Sequence, residues 1–212
     1  MFARSYANYY DLFNSDKPYK KEVDFVYRWA GKPESILDIG CGTANYWRYY
    51  PKKTVMAGID KSKHMIVSKG VDFGDVTKFD FKNYMKFDCA TALFDVINYI
   101  PKQDWWKRLP IKKGGSFIFD VLDSKKAEED GFRKTLREIG GICRSITPSK
   151  RYGKSVDLLI ELFDEAGKFC QEKHRLYMYS SEDIKRFCGR QFEIVEVKET
   201  KSWQTWYKCR RK

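Results

Sequence analysis

Residues 36–43 read ILDIGCGT: an apolar run ends in two glycines one residue apart, Gly40 and Gly42, and the helix-compatible stretch 44–50 follows. Such a turn lets a ligand lie against bare backbone, because glycine puts no Cβ in its path and the following helix start offers unpaired N–H groups to a carboxylate or phosphate. A dinucleotide pyrophosphate is disfavoured, since Tyr46 and Trp47 stand where the third glycine of G-x-G-x-x-G would permit close helix packing. Two acids end later runs, Asp60 in VMAGID and Asp75 in FGDV. A carboxylate offers two acceptor oxygens to a diol; a solvated strand end and a turn former are the plainer readings of the same two acids. Groups that could move a proton are few. His64 suits a helix cap, whereas His174 in HRLYMY and Glu161 in an alternating run are candidates for a base or a substrate ligand, and each also reads as an ordinary strand residue.

The elements that must position these residues follow from the pattern of apolar runs. Residues 35–40, 55–60, 88–94 and 115–122 are short β-forming runs, each ending near an acid or a glycine, and 44–50, 62–69 and 103–109 carry helix-compatible patterns between them. Strands alternating with helices imply βαβ units and a doubly wound parallel sheet. After Leu122 the pattern changes. Residues 125–138 read as a charged helix, and 142–146, 156–164 and 170–179 as three antiparallel strands joined by turns at 148–153 and 164–167. Ser181 opens a helix through Cys188, and strands at 193–200 and 203–210 form a closing hairpin around Lys201 and Ser202.

Composition narrows the setting. A chain of 212 residues with 42% hydrophobic residues fits one domain, and its apolar runs are too short to cross about 30 Å of hydrocarbon. Residues 1–11 lack a secretory signal, so a cytoplasmic location is expected. The six cysteines lie far apart with no C-x-x-C pair, which argues against disulfides and structural zinc. The net charge of +12 is scattered from Lys17 to Lys212; a lysine-rich solvated surface explains most of it, and attraction to a phosphate-bearing partner is the alternative.

ILDIGCGT resembles motif I of the class I S-adenosylmethionine-dependent methyltransferases, and the later segments fall in that family's order over nearly the whole chain. The resemblance implies a Rossmann-like α/β fold, a doubly wound seven-stranded sheet with a small antiparallel sheet inserted between its fifth and sixth strands. It implies S-adenosylmethionine as cofactor, held by Asp38, Gly40, Cys41 and Gly42 in the first loop, by Asp60 and Lys61, by Asp75 and Val76, and by Leu93 and Phe94. In the family the acid at Asp60 accepts from both ribose hydroxyls, and the acid at Asp75 reads the adenine amino group beside the Val76 N–H. The segment LFDVINY resembles the one that in the family lies under the reactive sulfonium. The interval from Asp60 to Asp75 is several residues shorter than the family's, which leaves a stunted second helix and a short third strand. Residues 6–13 (YANYYDLF) with Tyr19 resemble the Tyr-Asp start of sugar and glycine-type N-methyltransferases, where tyrosines cover cofactor and substrate; Tyr9 and Tyr10 are the candidates here. An amphipathic helix packing its aromatic face on the core is the other reading of that segment.

The resemblance implies a methyl transfer to an N or O atom of a small molecule. A nucleotide-linked amino sugar is the favoured acceptor, because positive charge would help hold a pyrophosphate. One domain over residues 1–212 is expected, with an N-terminal helical cover over 1–30 and an antiparallel substrate-binding subdomain over 123–179. The inserted sheet and the tyrosine segment should wall the acceptor pocket, with His174, Glu161, Tyr177 and Tyr179 as its polar groups. Two other readings stay open: RNA (tRNA) methylation, motivated by the charge, Lys150, Arg151 and the tail 209–212, and a non-catalytic cofactor-binding partner subunit. The Asn- or Asp-Pro-Pro-aromatic loop of exocyclic-amine enzymes is missing from LFDVINY, and Cys89 reads as buried packing, not as a nucleophile. No metal is expected, and the sequence is silent on oligomeric state.

Overall fold

A computed structural model describes residues 2–101, 104–122, 134–200 and 204–212, with the side chains of 150–152 left aside. Its main sheet has seven strands in the order β10-β11-β5-β4-β1-β2-β3. Strands β1 (Ser35–Ile39), β2 (Val55–Asp60), β3 (Val71–Phe73), β4 (Phe87–Ala92) and β5 (Ile111–Leu122) run parallel; β11 (Gln204–Arg211) and β10 (Phe192–Glu199) add antiparallel at one edge. Strand alternation sends Ile36, Cys89, Ile118 and Trp206 to one face, where α2 (Tyr19–Trp29) covers them with Val23, Val26 and Trp29. Leu37, Ile39, Phe117 and Phe119 go to the other, against Trp105, Trp106 and Ile184 of the α3 helix (Ser181–Cys188). With both faces covered, the central strands read as unbroken apolar runs.

The helices between strands are shorter than the sequence pattern predicts. Residues 45–49 and 104–108 form 3-10 turns, and 62–69 form turns only; residue 103 lies outside the described residues. Ten residues separate β2 from β3, and a link that short that must also reverse direction cannot recover the cost of helix nucleation. The three-residue β3 is the short third strand that the spacing implied.

Between β5 and β10 the chain builds a second sheet, an antiparallel meander of β6 (Thr135–Ile139), β7 (Ile142–Tyr152), β8 (Ser155–Asp164) and β9 (Gly167–Tyr177). It has four strands, not three: residues 135–138, expected in a charged helix, pair with β7 instead, and 125–133 lie outside the described residues. Strand β7 also runs through the expected turn at 148–153, because a bulge after Pro148 accommodates a residue without an N–H, and the chain reverses after Tyr152. The turn of the closing hairpin at Lys201 and Ser202 lies outside the described residues.

The helix α1 (Arg4–Phe13) joins the two sheets. Tyr6 and Phe13 pack on Ile160, Leu162 and Cys170 of the small sheet, while Asp11 accepts hydrogen bonds from Thr43 Oγ1 (2.7 Å) and Asn45 Nδ2 (2.6 Å) beyond β1. A second tie is Asn98, fully buried, whose Nδ2 donates to Tyr177 O of β9 (2.8 Å) while its Oδ1 accepts the Leu122 N–H of β5 (2.9 Å). No helix among the described residues is long and apolar enough to cross a membrane. Replacing Asn98 by Ala leaves a donor and an acceptor of two sheets unpaired, so stability should fall by about 2–4 kcal/mol. Urea unfolding of wild type and variant measures this.

Candidate active site

The carboxyl ends of β1, β2, β4 and β5 meet at a cavity of about 600 Å³, walled on the other side by α1 and the small sheet. In open α/β sheets this rim is where ligands bind. The first loop enters it at Gly40, whose φ of +66° and whose contact with Val96 both demand glycine: a Cβ there would lie 2.6 Å from Val96 Cγ1. Gly42 donates its N–H to Asp60 Oδ2 (2.7 Å), and Asp60 Oδ1 accepts the Ser62 N–H (2.7 Å). Burial pushes the Asp60 carboxyl above its ordinary range against those two donors. Each oxygen keeps a lone pair beyond the one so used.

The neighbouring acids are arranged differently. Asp38 is buried with Oδ2 on Trp47 Nε1 (2.9 Å) and Oδ1 on Thr91 Oγ1 (2.8 Å), so it fastens the first loop to β4. Cys41 packs with Trp47 over Gly58, and burial pushes its thiol up, which leaves it unreactive. Asp75 pairs with Lys61 Nζ (2.7 Å) and accepts from the Thr77 hydroxyl and N–H; burial opposes, but these partners hold its carboxyl below the usual range. Val76 is buried in the core beside it and lines the cavity.

After β4 the chain passes Leu93 and then makes a left-handed turn at two non-glycine residues, Phe94 (φ 68°) and Asp95 (φ 61°). Such residues cost about 1–2 kcal/mol each unless the surroundings impose them. Asp120, with no exposed surface, does so. Its Oδ1 accepts the Phe94 N–H (2.7 Å), and its Oδ2 accepts the Asp95 N–H (3.0 Å) and Gln204 Nε2 (2.9 Å). Burial and the adjacent Asp95 push the Asp120 carboxyl well up, and burial raises Asp95 as well.

Of the residues singled out for the acceptor side, Tyr10 and His174 line the cavity, and Tyr9, Glu161, Tyr177 and Tyr179 do not. Strand parity explains Glu161: Ile160 faces α1, so its neighbour turns to the other face, where Lys168 and Gln171 bind it. Tyr179 lies past the end of β9 in the main core and donates to the Ile100 carbonyl. Tyr9 packs on Phe169. Lys150 and Arg151 have side chains outside those described. The cavity wall also includes Phe2 and Arg144, which the sequence reading passed over, and Tyr6 and Tyr99, which it held only as members of the segments 6–13 and 93–99. Arg144 donates to Tyr6 Oη (3.2 Å) and lies over the Phe13 ring (4.9 Å), and its buried Nε has no partner. Directly across the sheet sits Arg137, which Asp16 neutralises; Arg144 has no carboxylate partner among the described residues.

No protein-family model matches the chain, and no curated protein matches it. Solved structures do match. An S-adenosylmethionine-dependent methyltransferase from Clostridium acetobutylicum superposes with a TM-score of 0.79 at 22% identity over 96% of each chain. CalS10 from Micromonospora echinaspora, an amino pentose methyltransferase with the cofactor bound, gives 0.75 at 18% identity, covering 100% of this chain and 98% of its own. The sugar N-methyltransferase KedS8 from a Streptoalloteichus species gives 0.75 at 20%, covering 96% and 93%. The chain has the Rossmann-like fold of these enzymes, with the small sheet between the fifth and sixth strands of the large one.

Among the acids, Asp38 has a testable signature. Burial pushes its carboxyl up to about 6, so folded protein binds a proton there that unfolded chain releases nearer 3.8. Stability should therefore fall as pH rises through that window. In Asp38→Asn this part of the slope should vanish, which urea midpoints at about pH 4.5 and about pH 6.5 would reveal.

Proposed function

We propose that this chain is an S-adenosylmethionine-dependent methyltransferase that methylates an N or O atom of a small, phosphate-bearing acceptor, with a nucleotide-linked amino sugar as the favoured class. The observation that carries the reading is one cavity shared by the glycine loop with Asp60 and by an aromatic wall from α1 and the small sheet. Its volume falls in the range of about 300–1,000 Å³ typical of small-molecule sites. The neighbouring enzymes CalS10 and KedS8 act on an amino pentose and a sugar amine, which supports the acceptor class.

The residues fit the cofactor. Asp60 keeps two free lone pairs for a ribose diol while its other contacts lock it to the loop. Gly40, Gly42, Phe94, Tyr10, Asp75 and Val76 line the same cavity and would surround the remainder. When bound, the cofactor supplies an electrophilic methyl group on a sulfonium, a good leaving group. The protein then needs chiefly to orient the acceptor and exclude water, and positioning of this kind lowers a barrier by roughly 7–11 kcal/mol. On this reading α1 and α2 (residues 1–30) cover the site, and 123–179 form the acceptor-binding subdomain. Arg144 supports the phosphate: an unneutralised guanidinium opposite a second arginine gains from an anion, and guanidinium suits phosphate geometry.

Asp60→Ala should lower S-adenosylmethionine affinity at least tenfold by calorimetry, since two hydrogen bonds to a charged acceptor are each worth on the order of 1.5–3 kcal/mol. Unchanged affinity would refute the cofactor assignment. Separately, Arg144→Met should raise KM for a nucleotide-linked amino sugar by about tenfold or more while cofactor affinity holds. An unmoved KM would deny that acceptor its phosphate contact here.

A further inference from the structure

The acceptor side of the cavity holds a buried pair that the cofactor does not need. Glu172 and His174 are two apart on β9 and so share its inward face, where Glu172 Oε2 lies 2.8 Å from His174 Nε2. Glu172 Oε1 accepts the Ala3 N–H (2.9 Å), and the Phe2 ring packs on the imidazole at 4.6 Å, so the N-terminal segment closes over the pair. A carboxylate accepts only, which puts the proton on Nε2 and leaves a lone pair on Nδ1. Nδ1 faces Tyr99 Oη at 3.4 Å. The His174 side chain has 0% exposed surface while Tyr99 is 36% exposed and lines the cavity. Both side chains line the cavity, and the tyrosine is the more exposed of the two. The alignment is built in, because Asn98, the residue before Tyr99, is clamped to both β5 and β9.

We infer that Tyr99, His174 and Glu172 form a proton relay that takes the acceptor's proton during transfer, with Tyr99 as the catalytic residue at the acceptor and Glu172 as a positioning residue. The inference rests on the methyl-transfer reading. Transfer forms a bond from the acceptor N or O to the methyl carbon and breaks the carbon–sulfur bond, whose electron pair stays on sulfur. The acceptor's proton passes to Tyr99 Oη, the hydroxyl proton of Tyr99 passes to His174 Nδ1, and Glu172 balances the imidazolium. An ordinary amine or hydroxyl carries that proton near neutral pH, so the relay suits an acceptor that must lose one. The charged and titratable groups around the relay are Cys170 on β9, Tyr6 and Tyr10 on α1, Asp95 in the turn after β4, and Arg144 on β7.

The chain has two histidines, so His64→Gln leaves one imidazole for nitrogen NMR on the full protein with S-adenosylhomocysteine. Neutral His174 should carry its proton on Nε2, and Tyr99→Phe should move the Nδ1 resonance. Kinetics with an acceptor turned over by wild type supply the second readout. Tyr99→Phe should lower kcat by about 10²-fold with cofactor affinity intact, and Glu172→Gln should lower kcat while the acceptor KM and the cofactor affinity hold. A proton on Nδ1, an Nδ1 resonance indifferent to Tyr99→Phe, or an unchanged kcat in that variant would each overturn the relay. Calorimetry on the same samples separates the two readings: no S-adenosylmethionine binding sinks the methyl-transfer reading and the relay with it, whereas intact binding beside any of those results sinks the relay alone.

Discussion

The left-handed turn at Phe94 and Asp95 is the constraint on which the site depends. Neither residue is a glycine, and the pair holds that conformation because the buried carboxyl of Asp120 on the adjacent strand takes both N–H groups. The turn then delivers three side chains in four residues. Val96 goes against Gly40, which is why that position has no room for a Cβ; Asn98 goes between β5 and β9; Tyr99 goes to the edge of the acceptor cavity. The strained backbone therefore sets the glycine loop and the acceptor wall relative to each other. Gln204 on β11 donates to the same Asp120 oxygen that holds Asp95, so the sheet edge helps keep the carboxylate in place.

A protein of net charge +12 thus encloses a rim of acids. Asp38, Asp60, Asp95 and Asp120 sit at the carboxyl ends of neighbouring strands or just beyond, and burial raises all four. Their costs are met in different ways. Asp38 and Asp120 spend their oxygens on protein donors, while Asp60 divides its own between the loop backbone and the cavity. Asp60 stands on the main-sheet side of the cavity and Arg144 on the small sheet that walls its other side.

The parallel sheet was legible because its signals are local: each buried strand is an unbroken apolar run that stops at a ligand-facing residue, and β2 coincides with the run that ends in Asp60. Helices between the strands were not, since aromatic packing turned helix-compatible stretches into 3-10 turns, a choice made by tertiary contacts. The small sheet hid its first strand, as the charges of residues 135–139 carry no alternation. Parity decided the acceptor wall. Once Leu158 pairs with His174 and Ile160 with Glu172, the inward set is fixed and Glu161 must face away. Glu161 and Glu172 are both acids within strand-forming runs, and only the register separates them. Asp120 had a readable signal, an acid inside an otherwise apolar strand, and its meaning needed the neighbouring turn.

The N-terminal segment ties these parts into one device. Phe2 accepts a hydrogen bond from Ser62 beside Asp60, Ala3 donates to Glu172, Tyr6 accepts from Arg144, and Asp11 holds Thr43 and Asn45 after the glycine loop. One short helix with its leading residues therefore touches the cofactor loop, the carboxylate behind the relay and the arginine of the acceptor wall. Each tie is a single hydrogen bond, worth about 0.5–1.5 kcal/mol, or about 1.5–3 where charged. No one of them is strong alone, and together they seat α1 and its leading residues against both sheets. Its packing on the small sheet and its hydrogen bonds to the loop after β1 thus fix the two walls of the cavity relative to each other.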